Sequence, residues 1–381
     1  MTEKLSTWDQ RVTFVELFFD LIFVFSVTQV VGLIHYDLTW ISVGQAVFVF
    51  WLVWWAWTQF TWALNPADTT HPVVEVAVLI ATAVAFFMAV AVPRAFYEHG
   101  LAFALSYVLV RGIGLGLYAR VASTDPAQHA AVRRFALAST GGLVAALAGG
   151  LMGGTAQYWL WGLTILLDVT AAAVGADAEG WHLRPEHFAE RHGLIVIIAL
   201  GETLIVAAGG AAGEDWTAQL LGVAVLAVIV SCALWWSYFS RAKPELDHAM
   251  ESARGSAQSR LARDVFSLIH FPMLCGVVAY AVAVGEAVAH PADPLTHAGR
   301  LALSVGTLLF VGGTGVALWR ATGQVRLPRL ALATLMALAV VATPGGPAVS
   351  FGVALVGVTA ICLVEERSAV RASARGERHG K

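Results

Sequence analysis

Phe14 to Val30 reads FVELFFDLIFVFSVTQV, an apolar run that opens like a membrane span yet holds two acids, Glu16 and Asp20. Residues four apart on a helix share a face, so the two carboxylates are neighbours on one side of the segment. A carboxylate in hydrocarbon costs at least about 2.5–3.5 kcal/mol and therefore turns toward protein or water. Two readings stand: Glu16 at the interface with Asp20 in a structural pairing, or both acids forming a cation or proton site. Neighbouring acids that share a site favour a shared proton or cation, which supports the second.

The rest of the chain has the same character. Of 381 residues, 58% are hydrophobic and only 13% charged, against about 25% charged in an ordinary soluble domain. Apolar runs closed by Pro, Gly or polar residues predict about twelve spans, at roughly 14–34, 41–63, 73–96, 100–120, 134–152, 156–175, 190–210, 217–240, 264–289, 300–319, 328–343 and 347–364. The fold expected is an all-α integral membrane protein. The longest polar stretches are a loop near Arg241 to Arg263 and the tail after Glu365. The net charge of −3 gives no reason to expect nucleic acid. The N-terminal segment shows no cleavable signal pattern, so the first span is expected to direct insertion. Cys232, Cys275 and Cys362 lie in apolar runs and suggest neither disulfide nor zinc.

Most of the 23 basic residues fall in segments that share one side when the N-terminus is inside. This places both termini in the cytoplasm and the protein, as a multi-pass chain, in a bacterial cytoplasmic (inner) membrane. The halves also resemble each other. Phe14-Val15-Glu16 matches Phe188-Ala189-Glu190, and Trp54-Trp55-Ala56-Trp57 matches Trp235-Trp236-Ser237-Tyr238. Ala89 to Val92 matches Ala281 to Val284, and Arg134 to Ser139 matches Arg329 to Thr334, in the same order. The expected organisation is two parallel six-helix repeats, residues 1–180 and 181–365, followed by a basic cytoplasmic tail, 366–381. A site at the interface between the repeats is the geometric expectation.

Polar residues inside spans are the candidates for function. Glu16 and Asp20 are joined by Gln29 in the first span, Arg111 in the fourth and Asp168 in the sixth. Glu190, Arg191 and Glu202 lie in the seventh. A guanidinium at mid-span needs an acid, and Glu202, Asp168 and Asp20 are the partners available to Arg111. Glu190 with Arg191 reads equally as an interfacial pair, and Gly201 beside Glu202 would admit the close approach of another helix or an ion. His182, His187, His192, Glu186 and Glu190 cluster in sequence, but the spacing is not that of a helical zinc site. His270 reads as a hydrogen-bonded core histidine, and Trp51, Trp54, Trp55, Trp57 and Trp62 as packing and interfacial anchors.

At Phe14 to Val24, at Glu190-Arg191-His192-Gly193-Leu194 and at Leu200-Gly201-Glu202-Thr203, the sequence resembles the bacterial low temperature requirement protein A family. That resemblance implies a bacterial inner-membrane protein tied by name to growth in the cold, without fixing a molecular activity. A transporter or channel-like protein for a cation, proton or small solute, with membrane lipid as its surroundings and no cofactor, is the leading expectation. A sensor or assembly factor without flux, and an intramembrane enzyme acting on lipid, are the alternatives.

Overall fold

The computed structural model describes residues 11–35, 39–176, 181, 183–212 and 216–379. Among these residues there are helices and no strands. A chain in hydrocarbon must satisfy its backbone within each segment, and a helix does so. Eleven helical stretches are long and apolar enough to cross a bilayer, and Leu327–Ala342 is a shorter apolar helix. The protein is a multi-pass, all-α membrane protein.

In chain order the helices are α1 (Phe14–His35), α2 (Trp40–Leu64), α3 (Pro72–Ala91), α4 (Gly100–Val121), α5 (Pro126–Met152), α6 (Gly154–Ala176) and α7 (Pro185–Ala212). There follow α8 (Ala218–Ser237), α9 (Lys243–Ser252), α10 (Gly255–Leu261), α11 (His270–Ala289), α12 (His297–Thr322), α13 (Leu327–Ala342) and α14 (Pro347–His379). Local chemistry fixes several starts. Thr39 and Ser42 form a reciprocal capping box at α2. Asp125 accepts from the backbone of Ala127 and Gln128 at α5, with Pro126 in the first turn. The α5–α6 hairpin turns on Gly153 and Gly154, with φ of +64° and +55°. Only glycine adopts the Gly153 geometry freely.

The chain forms two compact units: residues 1–198 with 250–271, and residues 199–249 with 272–381. In the first, α2 packs against α1, α4 and α6. Trp51, Trp54, Trp55 and Trp57 are consequently buried, while Trp62 is partly open and Trp40, at the start of the helix, is exposed. The periphery differs. On α5, Leu137, Val144 and Leu151 recur every seven residues and are all exposed, an apolar stripe suited to lipid. In the second unit α8 packs against α12 and α14, and α13 against the same two helices. There α11 and α12 approach through glycines: a Cβ on Gly276 would lie 2.6 Å from the Gly306 carbonyl oxygen.

The stretch from Arg241 to Arg263, expected as a loop, is largely helical. Leu246 and Met250, four apart, are buried on one face of α9, while Lys243 and Asp247 pair at 2.7 Å on another. A short amphipathic helix of this kind is polar enough to look like a loop in a search for apolar runs. Two π-helical turns flank it, at Tyr238–Ala242 and Ala262–Ile269. Likewise α14 continues past the apolar run to His379.

Candidate functional site

Glu16 and Asp20 are fully buried. The helical period that puts them on one face of α1 has a counterpart on α7, where His187 and Arg191, also four apart, point inward. The two pairs meet. His187 Nε2 lies 3.1 Å from Glu16 Oε1, and Arg191 Nη1 lies 3.5 Å from the same oxygen. Arg191 Nη2 donates to Asp20 Oδ1, which also accepts from Trp57 Nε1 at 2.8 Å. The guanidinium rests over the Trp57 ring, 5.5 Å from its centroid.

Glu16 is held from its own helix end as well. The backbone N–H and the hydroxyl of Thr13 lie 3.0 Å from Glu16 Oε2. Glu16 thus stands three residues into α1 as the acidic half of a capping box. Thr69 adds its hydroxyl at 3.4 Å.

Hydrogen bonds fix the imidazole of His187. Asn65 Oδ1 accepts from the Arg184 backbone N–H at 2.7 Å, while Asn65 Nδ2 donates to the Arg184 carbonyl at 3.0 Å. The amide orientation is thereby set, and Nδ2 also faces His187 Nδ1 at 3.3 Å. Nδ1 must accept, so the proton sits on Nε2 and is donated to Glu16. Arg184 itself caps the end of α2, donating to the carbonyls of Leu64 at 3.3 Å and Ala67 at 2.9 Å. Burial draws its pKa below the usual arginine value, against the opposing pull of the Glu16 and Asp68 carboxylates.

Charge counting follows from these partners. Within the ion pairs, Glu16 and Asp20 bring two negative charges when ionised and Arg191 one positive charge, while Arg184 spends its guanidinium on backbone carbonyls. With His187 neutral, one negative charge is left over. Among the described residues Asp20 Oδ2 and Arg191 Nε are buried with no hydrogen-bond partner, so the cluster retains unused capacity on both the acid and the base.

A second buried cluster lies in the same unit. Arg111 Nη1 donates to Asp168 Oδ1 at 3.1 Å and to the Tyr107 hydroxyl at 2.7 Å, and that hydroxyl donates to Asp168 Oδ2 at 3.0 Å. Of the three acids expected for Arg111, Asp168 is the one it meets, because α4 and α6 both flank α2. One positive and one negative charge cancel here.

The remaining expected site residues stand elsewhere. Glu190 is exposed, and the pairing of Glu190 with Arg191 does not form. Adjacent residues are about 100° apart on a helix, so when Arg191 turns inward Glu190 turns out. Glu186 is exposed too, which separates both glutamates from His187; His182 lies outside the described residues. Gln29 is half-buried, about 13 Å along α1 from Asp20 at 1.5 Å per residue. Glu202 is buried in the second unit, beside Thr203, whose hydroxyl meets that of Ser231 at 2.8 Å. Gly201 does not mark a close approach, since a Cβ there would meet nothing within 4 Å.

Trp57, Asn65, Thr13, Thr69 and Tyr107 belong to the clusters but were not apparent from sequence. Trp57 is hidden among the tryptophans of α2, although its place one helical turn before Thr61 and two before Asn65 puts all three on one face. His270 is a buried core histidine as expected, its Nδ1 donating to the Val265 carbonyl at 2.8 Å.

No solved structure matches the chain. An uncharacterized protein of Rhizobium meliloti (strain 1021) is 28% identical over 321 residues, covering 82% of this chain and 78% of that protein. Residues 11–364 match the bacterial low temperature requirement A protein (LtrA), and with nearly the whole sequence covered, the chain belongs to that family.

Proposed function

We propose that the protein transports a small solute or cation across the bacterial inner membrane, with the α1–α7 cluster carrying a proton or monovalent cation. The observation that carries this reading is that two buried carboxylates, Glu16 and Asp20, share a single guanidinium, Arg191. A leftover charge in hydrocarbon is costly, and an exchangeable proton or cation removes it. The Arg111–Asp168 cluster is balanced and serves as scaffold.

The duplication supports the same reading. The acids come from the first helix of one proposed repeat, and His187 and Arg191 from the first helix of the other. The packing of α2 on α4 and α6 has its parallel in the packing of α8 on α12 and α14. The parallel repeats put both termini in the cytoplasm. Reporter fusions after Gly154 and after Ala212 are expected to read as periplasmic, and a fusion at Lys381 as cytoplasmic. A periplasmic reading at Lys381 would rule out the parallel arrangement.

The decisive experiment is flux into liposomes, scanned over protons, potassium, sodium and small neutral solutes. Asp20→Asn keeps the shape and keeps an acceptor for Trp57, but cannot release a proton or neutralise a cation. The variant should insert and fold while its flux falls or loses pH dependence. Parental flux and an unchanged pH profile in Asp20→Asn would make the acids structural. A parent with no flux for any tested species would instead point to a sensor.

A further inference from the structure

The two acids that share Arg191 are unequally supplied with hydrogen-bond donors. Glu16 Oε2 accepts from the N–H and the hydroxyl of Thr13, both at 3.0 Å, and from Thr69 at 3.4 Å. Glu16 Oε1 faces His187 Nε2 at 3.1 Å and Arg191 Nη1 at 3.5 Å. Asp20 is served on one oxygen alone, Oδ1, by Arg191 Nη2 and by Trp57 Nε1 at 2.8 Å. Among the described residues its buried Oδ2 has no partner. Both acids are fully buried, so the charge on each depends on donors that stand in for solvent. Glu16 is the better supplied.

The bases of the cluster leave no place for an added proton. His187 Nε2 already donates to Glu16, and Nδ1 is filled by Asn65 Nδ2 at 3.3 Å. Arg191 stays charged at any working pH. The charged groups acting on Asp20 are Arg191 from α7 and Glu16 from its own helix. From α2, which holds no titratable residue, comes the Trp57 indole. His192 meets that indole at 5.0 Å between ring centroids, its Nδ1 turned to the Phe188 carbonyl. The one titratable residue of α3, Glu75, lies in that helix's first turn and, among the described residues, makes no bond to Asp20. Arg94, beyond α3, is exposed and pairs with Glu98 at 3.9 Å.

We propose, resting on the transport reading above, that the exchangeable charge is a proton rather than a metal cation, and that it binds Asp20 at Oδ2. Sodium or potassium must trade its water for several oxygens. Asp20 is instead flanked by the N–H groups of Arg191 and Trp57, and a metal ion there would stand against a guanidinium. A proton needs one lone pair. It comes from water, forms the Oδ2–H bond and returns to water, and while it is bound Arg191 balances Glu16 alone. Trp57 is the positioning residue. Its N–H holds Oδ1 and its ring lies 5.5 Å from the guanidinium, so it favours ionised Asp20 and sets the pH at which the proton leaves.

The test is infrared difference spectroscopy of full-length protein in nanodiscs over a pH series, read at the C=O stretch of a protonated carboxylic acid. One band, shifted by side-chain carbon-13 aspartate and absent from Asp20→Asn, should fade as the pH rises. Trp57→Phe keeps a ring beside Arg191 and loses the donor. It should raise the midpoint by about one pH unit, roughly tenfold in proton affinity. Exchanging sodium for potassium or choline at fixed ionic strength should leave the midpoint in place. A band that ignores the aspartate label, or that survives in Asp20→Asn, would overturn the proposal. So would a midpoint that falls as sodium or potassium rises, because the metal ion would then compete for the same oxygen. An unmoved midpoint in folded Trp57→Phe would overturn it too. Should Asp20→Asn fail to fold, the label and Trp57→Phe still decide. None of the spectra needs flux: a titrating Asp20 in a protein that moves nothing would refute transport alone, and flux without the band would refute the proton site alone.

Discussion

Replacing Arg191 with glutamine is expected to leave little folded protein in the membrane, and adding Asp20→Asn to the same chain is expected to restore much of it. Arg191 is fully buried and bridges two buried carboxylates, contacting Asp20 and reaching Glu16 at 3.5 Å. Removing one partner of a buried pair costs about 3–5 kcal/mol because the other charge is stranded. That is a large share of a total stability of about 5–15 kcal/mol. The single variant also frees Trp57 from the cation over its ring. In the double variant Asp20 is neutral, so only Glu16 lacks its counter-charge, and His187 still donates to it. Thermal unfolding and monodisperse yield of the four proteins of the cycle measure the coupling. A stable Arg191→Gln protein, or an Asp20→Asn change that rescues nothing, would show that Arg191 does not neutralise Asp20.

Arg111→Met and Asp168→Asn should each destabilise the protein by about 3–5 kcal/mol for the same reason, a charge stranded in the core. The pair of changes together should cost less than their sum. Tyr107→Phe removes the hydroxyl that links the two and should cost about 1–3 kcal/mol, the loss of a buried polar partner. The contrast with the α1–α7 cluster lies in pH. Because Arg111 and Asp168 balance, whatever Tyr107→Phe protein folds should keep the parental pH profile of flux. A Tyr107→Phe protein with an altered pH profile would move the proton-handling role to this cluster. Asp168→Asn as stable as the parent would remove the ion pair as a stabilising feature.

The membrane fold was legible because apolar runs of span length repeat along the chain, and hydropathy reads such runs directly. What escaped was amphipathic or shared structure. The polar face of α9 disguised a helix whose Leu246 and Met250 are buried. The acids of α1 were legible because charge stands out in an apolar run. Their partners were only half so: chemistry narrowed Arg111 to three acids, but the packing of α4 and α6 on the same helices, α2 and α5, selects Asp168, and that packing is not written in any one segment. Glu16 and Glu190 occupy matched positions in the proposed sequence repeat, yet one is buried and the other exposed. The repeat pattern carries composition, whereas the rotation of each helix is decided by what it packs against.

The bond that orients Asn65 has a use at the bench. Among the described residues three histidines are buried: His187, His192 and His270. The last two place Nδ1 against backbone carbonyls, at 2.9 and 2.8 Å, and so carry their proton there. His187 carries its proton on the opposite nitrogen, because Asn65 donates to Nδ1. Nitrogen-15 resonance frequencies separate these two tautomers, so isotope-labelled protein holds a native spectroscopic marker at Glu16. A shift in that one resonance on adding solute or acid would report on the cluster without any introduced dye or tag.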